Sequence, residues 1–202
     1  MTITDSLPEL VLRSIDATWT YARWERLPDD GHRHEVIDGV LYTTTAPSSF
    51  HQWIVQQLFL ELHAQITRPK RGVVFIAPIG VLMPGCDPVQ PDLVAVPADD
   101  LGIIAERRIR GVPALLVEVL SPTNAETDTE IKRKVYARAG VQEYWIVRPT
   151  EHDVLVYTQP DAALADYTHV ERIPPGGTLV GASFSVQLAI AALFEGAPDM
   201  TA

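Results

Sequence analysis

Hydrophobic positions along this chain follow three rhythms: unbroken apolar runs, strict alternation, and a four-residue repeat. Ala114 to Leu120, ALLVEVL, is almost continuously apolar and reads as a strand buried on both faces. Residues 73–83, the stretch PDLVAV and the stretch EYWIV also read as strands, and DVLVYTQ alternates like a half-buried one. HEVIDGVLYTT, residues 34–44, predicts a hairpin turning at Asp38 and Gly39. In SSFHQWIVQQLFLELHAQIT, Ile54, Leu58, Leu62 and Ile66 recur every four residues and predict a helix capped by Ser48 or Ser49. A second helix is expected from about Glu126 to Ala139, stopped by Gly140. IPPGG predicts a turn, and VQLAIAALF a terminal helix. Residues 1–20 are weakly patterned, an arm or short helix, and residues 21–197 are expected to form a single domain. This order predicts one α/β domain with a mixed sheet flanked by helices and an N-terminal β-hairpin.

With 202 residues, 47% apolar and 21% charged, the chain is long enough for one sizeable core. Its single cysteine, Cys86, excludes an intrachain disulfide and suits a reducing compartment. No apolar run approaches the roughly 20 residues of a membrane helix, and MTITDSLPEL lacks the regions of a signal peptide. The expectation is a cytoplasmic protein without a membrane partner. A net charge of -10 argues against non-specific coating of nucleic acid. Yet 11 of the 16 Lys and Arg residues lie between Arg68 and Arg148, in RPKR, ERRIR and KRK. They form either a local basic surface or three separate solvated segments.

Two acids occupy strand positions, Asp92 after Pro91 and Glu118 within the buried run. Carboxylates brought within a few Å on neighbouring strands repel, and one protonates unless a cation lies between them. Hard divalent ions, Mg²⁺ above all, prefer such oxygen sites. The alternative is that Glu118 pairs with an arginine and Asp92 caps a turn. On the second helix Asp128, Lys132 and Tyr136 are four apart and share a face. Lys132 lies nearer the apolar stripe of Ile131, Val135 and Ala139 than Lys134 does. It can therefore reach the same site, although Asp and Lys at this spacing are more often a surface ion pair.

HEVIDGVLY, SSFHQ, QPDLVAV, PALLVEVLSPTN, then Asp128, Lys132 and Tyr136, then GVQEYWIV, occur in that order. The set resembles the Uma-two family of endonucleases, within the PD-(D/E)XK nuclease superfamily, over about residues 20 to 195. The resemblance implies a restriction-endonuclease-like core. It implies Mg²⁺, with Mn²⁺ as an alternative, held by Asp92, Glu118 and the Val119 backbone carbonyl, and hydrolysis of DNA phosphodiester bonds. Leu120 stands where the superfamily pattern has lysine, and Lys132 matches the position to which the family moves it. Lys132 would then orient water or stabilise the transition state. Glu35 matches the acid of the family's early EVIDG segment, completing the acidic cluster, binding a second metal, or facing solvent at a strand edge. His51 matches a histidine opening the first helix, contacting phosphate or metal-bound water, or packing on its neighbours. Tyr136 is expected to hydrogen-bond within the site. The partners implied are DNA, through a basic patch, and a second copy in a homodimer, with EYWIVRP and AIAALF as candidate contact segments. The competing reading is a catalytically inactive nuclease-fold module that binds nucleic acid or a protein, favoured by Leu120 and the net charge.

Overall fold

The computed structural model describes residues 11–197 apart from 29, 85, 122, 123 and 126. Residues 1–10 of the expected arm, and Glu126 at the expected helix start, lie outside the described residues. In chain order the elements are β1 (Val11–Arg13), α1 (Tyr21–Trp24), β2 (Arg33–Ile37), β3 (Val40–Thr44), α2 (Ser49–Leu62), β4 (Gly72–Ile76), β5 (Gly80–Met83), β6 (Cys86–Val89) and β7 (Leu93–Pro97). There follow β8 (Arg108–Arg110), β9 (Leu115–Val119), α3 (Arg133–Ala139), β10 (Glu143–Arg148), β11 (Asp153–Asp161), β12 (Asp166–Ile173), β13 (Thr178–Val180) and β14 (Gln187–Ala189).

The central sheet runs β12-β11-β10-β9-β7-β4. Its β9 and β10 are parallel and β7 lies antiparallel to β9, so the sheet is mixed. Both faces of β9 are covered, as its unbroken apolar pattern requires. On one face Leu115, Val117 and Val119 pack with Ile54, Leu58 and Leu62 of α2. On the other, Leu116 packs with α3 and with Val81 and Ile109 of a second sheet, ordered β1-β3-β2-β6-β5-β8. Glu118, two residues from Leu116, points into this second layer.

Several expectations hold. The β2–β3 hairpin turns at Asp38 and Gly39, both at positive φ, and a Cβ on Gly39 would lie 2.4 Å from the Ala17 carbonyl oxygen. The Ser48 side chain caps α2 by accepting from the His51 N–H, and a wider helical turn, His63–Thr67, extends the helix. Gly140 stops α3 in the left-handed conformation. Two expectations fail. The strand over 73–83 is two strands in different sheets: Pro78 lacks an N–H, and the ladder of β4 ends as the Ala77 N–H reaches the Asp92 carbonyl. The terminal helix is instead β14 and a single tight turn, Ile190–Leu193. There Val186, Leu188 and Ile190 are buried while Gln187 and Ala189 are exposed, a period of two that pairs β14 with β13. Of the candidate contact segments, EYWIVRP is buried in the central sheet from Glu143 to Val147 with Arg148 and Pro149 half-buried, and AIAALF buries Ile190 and Leu193 but exposes Ala189 and Ala191.

Candidate active site

Antiparallel pairing of β7 with β9 aligns Leu93 with Val117 and Val94 with Leu116. The start of one strand thus meets the end of the other, which brings Asp92 beside Glu118 and Val119. The Val119 N–H donates to Asp92 Oδ2 at 2.8 Å. His51 is the first residue of the buried stripe of α2 that continues through Ile54, Val55, Leu58 and Leu62. Its Nε2 lies 3.0 Å from the Val119 carbonyl oxygen and 3.2 Å from Asp92 Oδ2. Both neighbours are acceptors, so Nε2 carries the hydrogen. Arg33 Nη2 donates to Asp92 Oδ1 at 2.7 Å. Desolvation pushes the Asp92 carboxyl up, but the Arg33 charge and the His51 hydrogen bond outweigh it and hold the group well below the usual carboxylate range.

From the other side a helical turn, Thr127–Lys132, leads into α3 and carries Asp128 and Lys132 inward. The Tyr144 hydroxyl donates to the Asp128 carbonyl at 3.0 Å and holds that turn against β10. Lys132 is 2% exposed, and its Nζ lies 2.9 Å from Glu118, 3.0 Å from Glu35 and 3.2 Å from Asp128. Lys134, two residues on, is exposed and among the described residues pairs only with Glu130, at 3.6 Å. The Tyr136 hydroxyl donates to Glu118 Oε1 at 3.2 Å. Glu35 is buried, not a solvent-facing edge residue; its second oxygen accepts the Gln90 N–H at 2.7 Å.

Four carboxylates, Glu35, Asp92, Glu118 and Asp128, thus surround two cations, Lys132 and Arg33. Satisfaction is uneven. Glu118 Oε2 and Asp128 Oδ2 are buried without a hydrogen-bond partner, and Asp128 Oδ1 meets Lys132 as an ion pair at 3.2 Å. Desolvation pushes Glu118 well above its ordinary value against the pull of Lys132, with Asp128 and Asp92 adding repulsion. Desolvation likewise raises Asp128 to about 6. For Lys132 desolvation acts downward, but Asp128, Glu118 and Glu35 overcome it and keep the ammonium charged. A cavity of about 20 Å³, room for about one water, opens on the cluster among Glu35, His51, Asp128 and Lys132.

All five sequence-expected residues, Glu35, His51, Asp92, Glu118 and Lys132, are therefore brought together, and the Asp128–Lys132 pair is buried rather than superficial. The alternative given for the two acids is not realised: Glu118 pairs with a lysine, and the arginine goes to Asp92. Arg33 was missed, although it stands two residues before Glu35 on β2 and so shares its face. The three basic segments sit on separate elements. KRK is neutralised by the cluster, by Asp166 for Arg133 and by Glu130 for Lys134, and Arg108 of ERRIR pairs with Glu25. Among the described residues no helix is long and apolar enough to cross a membrane.

A crystal structure titled as "a putative nuclease belonging to DUF820", from Anabaena variabilis, superposes with a TM-score of 0.73, covering 87% of this chain and 97% of its own. At 20% sequence identity that likeness establishes a shared fold. No curated protein matches the chain. The family model Uma2, described as "Putative restriction endonuclease", matches residues 20–192, and with most of its length so covered the chain belongs to that family.

Proposed function

We propose that the chain is a divalent-metal-dependent endonuclease that hydrolyses DNA phosphodiester bonds at the cluster around Glu118. One observation carries the reading: a lysine and four carboxylates from separate segments are buried together with carboxylate oxygens left unsatisfied. Buried charge of this kind costs several kcal/mol per ion unless compensated, so a fold has no structural reason to assemble it. The donors are all hard oxygens, which fit Mg²⁺ or Mn²⁺. Asp92, Glu118 and the Val119 carbonyl would hold the ion, with Glu118 Oε2 and Asp128 Oδ2, which accept no hydrogen bond, as spare donors. Bound there, the metal would supply Lewis-acid charge to the scissile phosphate and a lowered pKa to its water. Lys132 presents a permanently charged ammonium for the charge that develops on the phosphoryl oxygens. Arg33 and His51 hold Asp92 in its ionised form and fixed orientation. Glu35 and Asp128 position Lys132.

A second reading, a non-catalytic module, is favoured by a specific feature. Among the described residues no three Asp, Glu, His or Cys groups already form a metal cage, and both Asp92 oxygens are engaged. Two measurements separate the readings. On the nuclease reading, Mn²⁺ raises the melting temperature of the wild type but not of Glu118→Gln, and supports cleavage of supercoiled DNA by the wild type alone. Identical melting shifts and no cleavage would leave the module. Two-strand cutting also suits a homodimer; a solution mass near 22.3 kDa at high concentration excludes it.

A further inference from the structure

Beside the acidic cluster lies a larger pocket of about 480 Å³, within the ~300–1,000 Å³ typical of small-ligand sites. It is built by the same segments as the cluster. Arg33 of β2 lines it two residues before Glu35, Gln90 two residues before Asp92, and Gln52 one residue after His51. Arg33, Thr45 and Pro47 line both this pocket and the small cavity at Lys132. A ligand seated in the pocket is therefore separated from the candidate catalytic carboxylates by one guanidinium, whose Nη2 is bonded to Asp92.

The lining is that of a site for a flat, polar-edged group. Trp24, Pro47 and Pro78 supply aromatic and apolar surface, and the indole is held in place because its Nε1 donates to the His34 carbonyl at 2.7 Å. Gln90 donates to the same carbonyl at 3.3 Å, which anchors its amide and leaves its oxygen to accept, while Gln52 is exposed with both amide functions available. Amide side chains match the donor and acceptor pattern of base edges, and aromatic faces stack on any base. Resting on the nuclease reading above, we infer that this pocket receives one unstacked nucleobase of the DNA, next to the phosphate at the cluster. A base reaches such a pocket only when it has left the helical stack. The preferred substrate is accordingly single-stranded or locally unpaired DNA, not an undisturbed duplex.

The test is equilibrium binding of the full chain without divalent metal, so that nothing is cut. A fluorescein-labelled oligothymidylate, the same length of abasic sugar-phosphate strand, and a matched duplex are compared by anisotropy. The oligothymidylate should bind at least about tenfold more tightly than the abasic strand, the size of one lost stacking contact. Trp24→Ala should remove most of that margin and leave abasic binding unchanged. Should Trp24→Ala not fold, Gln52→Ala, a change at an exposed position, should still reduce it. Equal affinity for all three strands, or margins untouched by both variants, overturns the pocket. Cleavage assays keep the two readings apart. Base-dependent binding without cleavage under any metal sinks the nuclease and leaves the pocket; metal-dependent cutting of duplex, indifferent to Trp24 and Gln52, does the reverse.

Discussion

Two glutamates sit on adjacent strands of the central sheet and are equally hidden from water, yet they are opposites. Glu143 on β10 is 1% exposed and accepts three N–H groups: Trp145 Nε1 at 2.7 Å, Ser183 at 2.8 Å and Ala182 at 3.2 Å. Glu118 on β9 is 0% exposed, holds two donors on one oxygen and none on the other, and has three further acids as neighbours. The first is a staple: a charge used to fasten the β13–β14 region to the sheet, with its hydrogen-bonding capacity met. The second is an acid whose ionisation the site resists, under-satisfied and crowded by its own kind. Burial of an acid therefore says little about function; the balance of donors and repulsive neighbours separates a structural acid from one kept for chemistry.

The contrast is broken most decisively by activity. Lys132→Met and Glu118→Gln should each lower metal-dependent cleavage by about a hundredfold or more, the usual loss of one preorganised charge. Glu143→Gln should keep cleavage per folded molecule within a few-fold of wild type. A dead Glu143→Gln with an active Glu118→Gln would reverse the two assignments.

Stability sharpens it next. Glu143→Ala leaves the buried Trp145 indole N–H and two part-buried backbone N–H groups without an acceptor and should cost about 2 kcal/mol or more in urea unfolding. Glu118→Gln retains an acceptor for Lys132 and Tyr136 while removing repulsion, so its loss should be much smaller; equal losses would make Glu118 another staple.

The pH dependence has opposite signs in the two kinds of site. Asp128 titrates at about 6 in the folded protein against an ordinary 3.8, so the folded state retains a proton that the unfolded chain has already released. Stability then falls as pH rises from about 4 to about 6 and stays lowered above that. Asp128→Asn should be more stable than wild type near pH 8, by on the order of 2–3 kcal/mol, with the gap closing near pH 4. Asp153, held down by Arg148 and Arg172 against its desolvation, stabilises at neutral pH and loses that contribution on acidification. Asp153→Asn should therefore destabilise where Asp128→Asn stabilises. Melting curves across this range check both signs.

The smallest effect is expected at Lys134. Its exposed pair with Glu130 contributes a few tenths of a kcal/mol, so Lys134→Met should leave stability within about 0.5 kcal/mol and the cleavage rate unchanged. A large loss at Lys134 would undo the distinction drawn between the two lysines of α3.

Much of this was legible in one dimension because it depends on local rules. The Asp38-Gly39 turn, the Ser48 cap and the Gly140 stop are each decided by a few neighbouring residues. So is the assignment of Lys132 to the buried side of its helix and Lys134 to solvent, since about 200° of rotation separates them. What failed locally failed for the same kind of reason: the bend at Pro78 and the two-residue alternation of Val186, Leu188 and Ile190 were present in the sequence and were outvoted by longer apolar runs.

The acid residue types, their order along the chain and the strand position of Glu118 belong to the sequence by itself, and with them the family and the mixed-sheet nuclease fold, whereas Asp92 sits in a bend just before β7 and not within the strand expected there. Only the tertiary structure decided who pairs with whom. Arg33 and Asp92 are 59 residues apart, and His51 and Val119 are 68 apart. No periodicity links such positions, because their contact depends on the register of β7 against β9 and on which faces α2 and α3 cover. The same long-range packing excludes water from the cluster. In water those carboxylates would be ordinary ions; inside, desolvation raises Glu118 and Asp128 and makes Lys132 the charge they share.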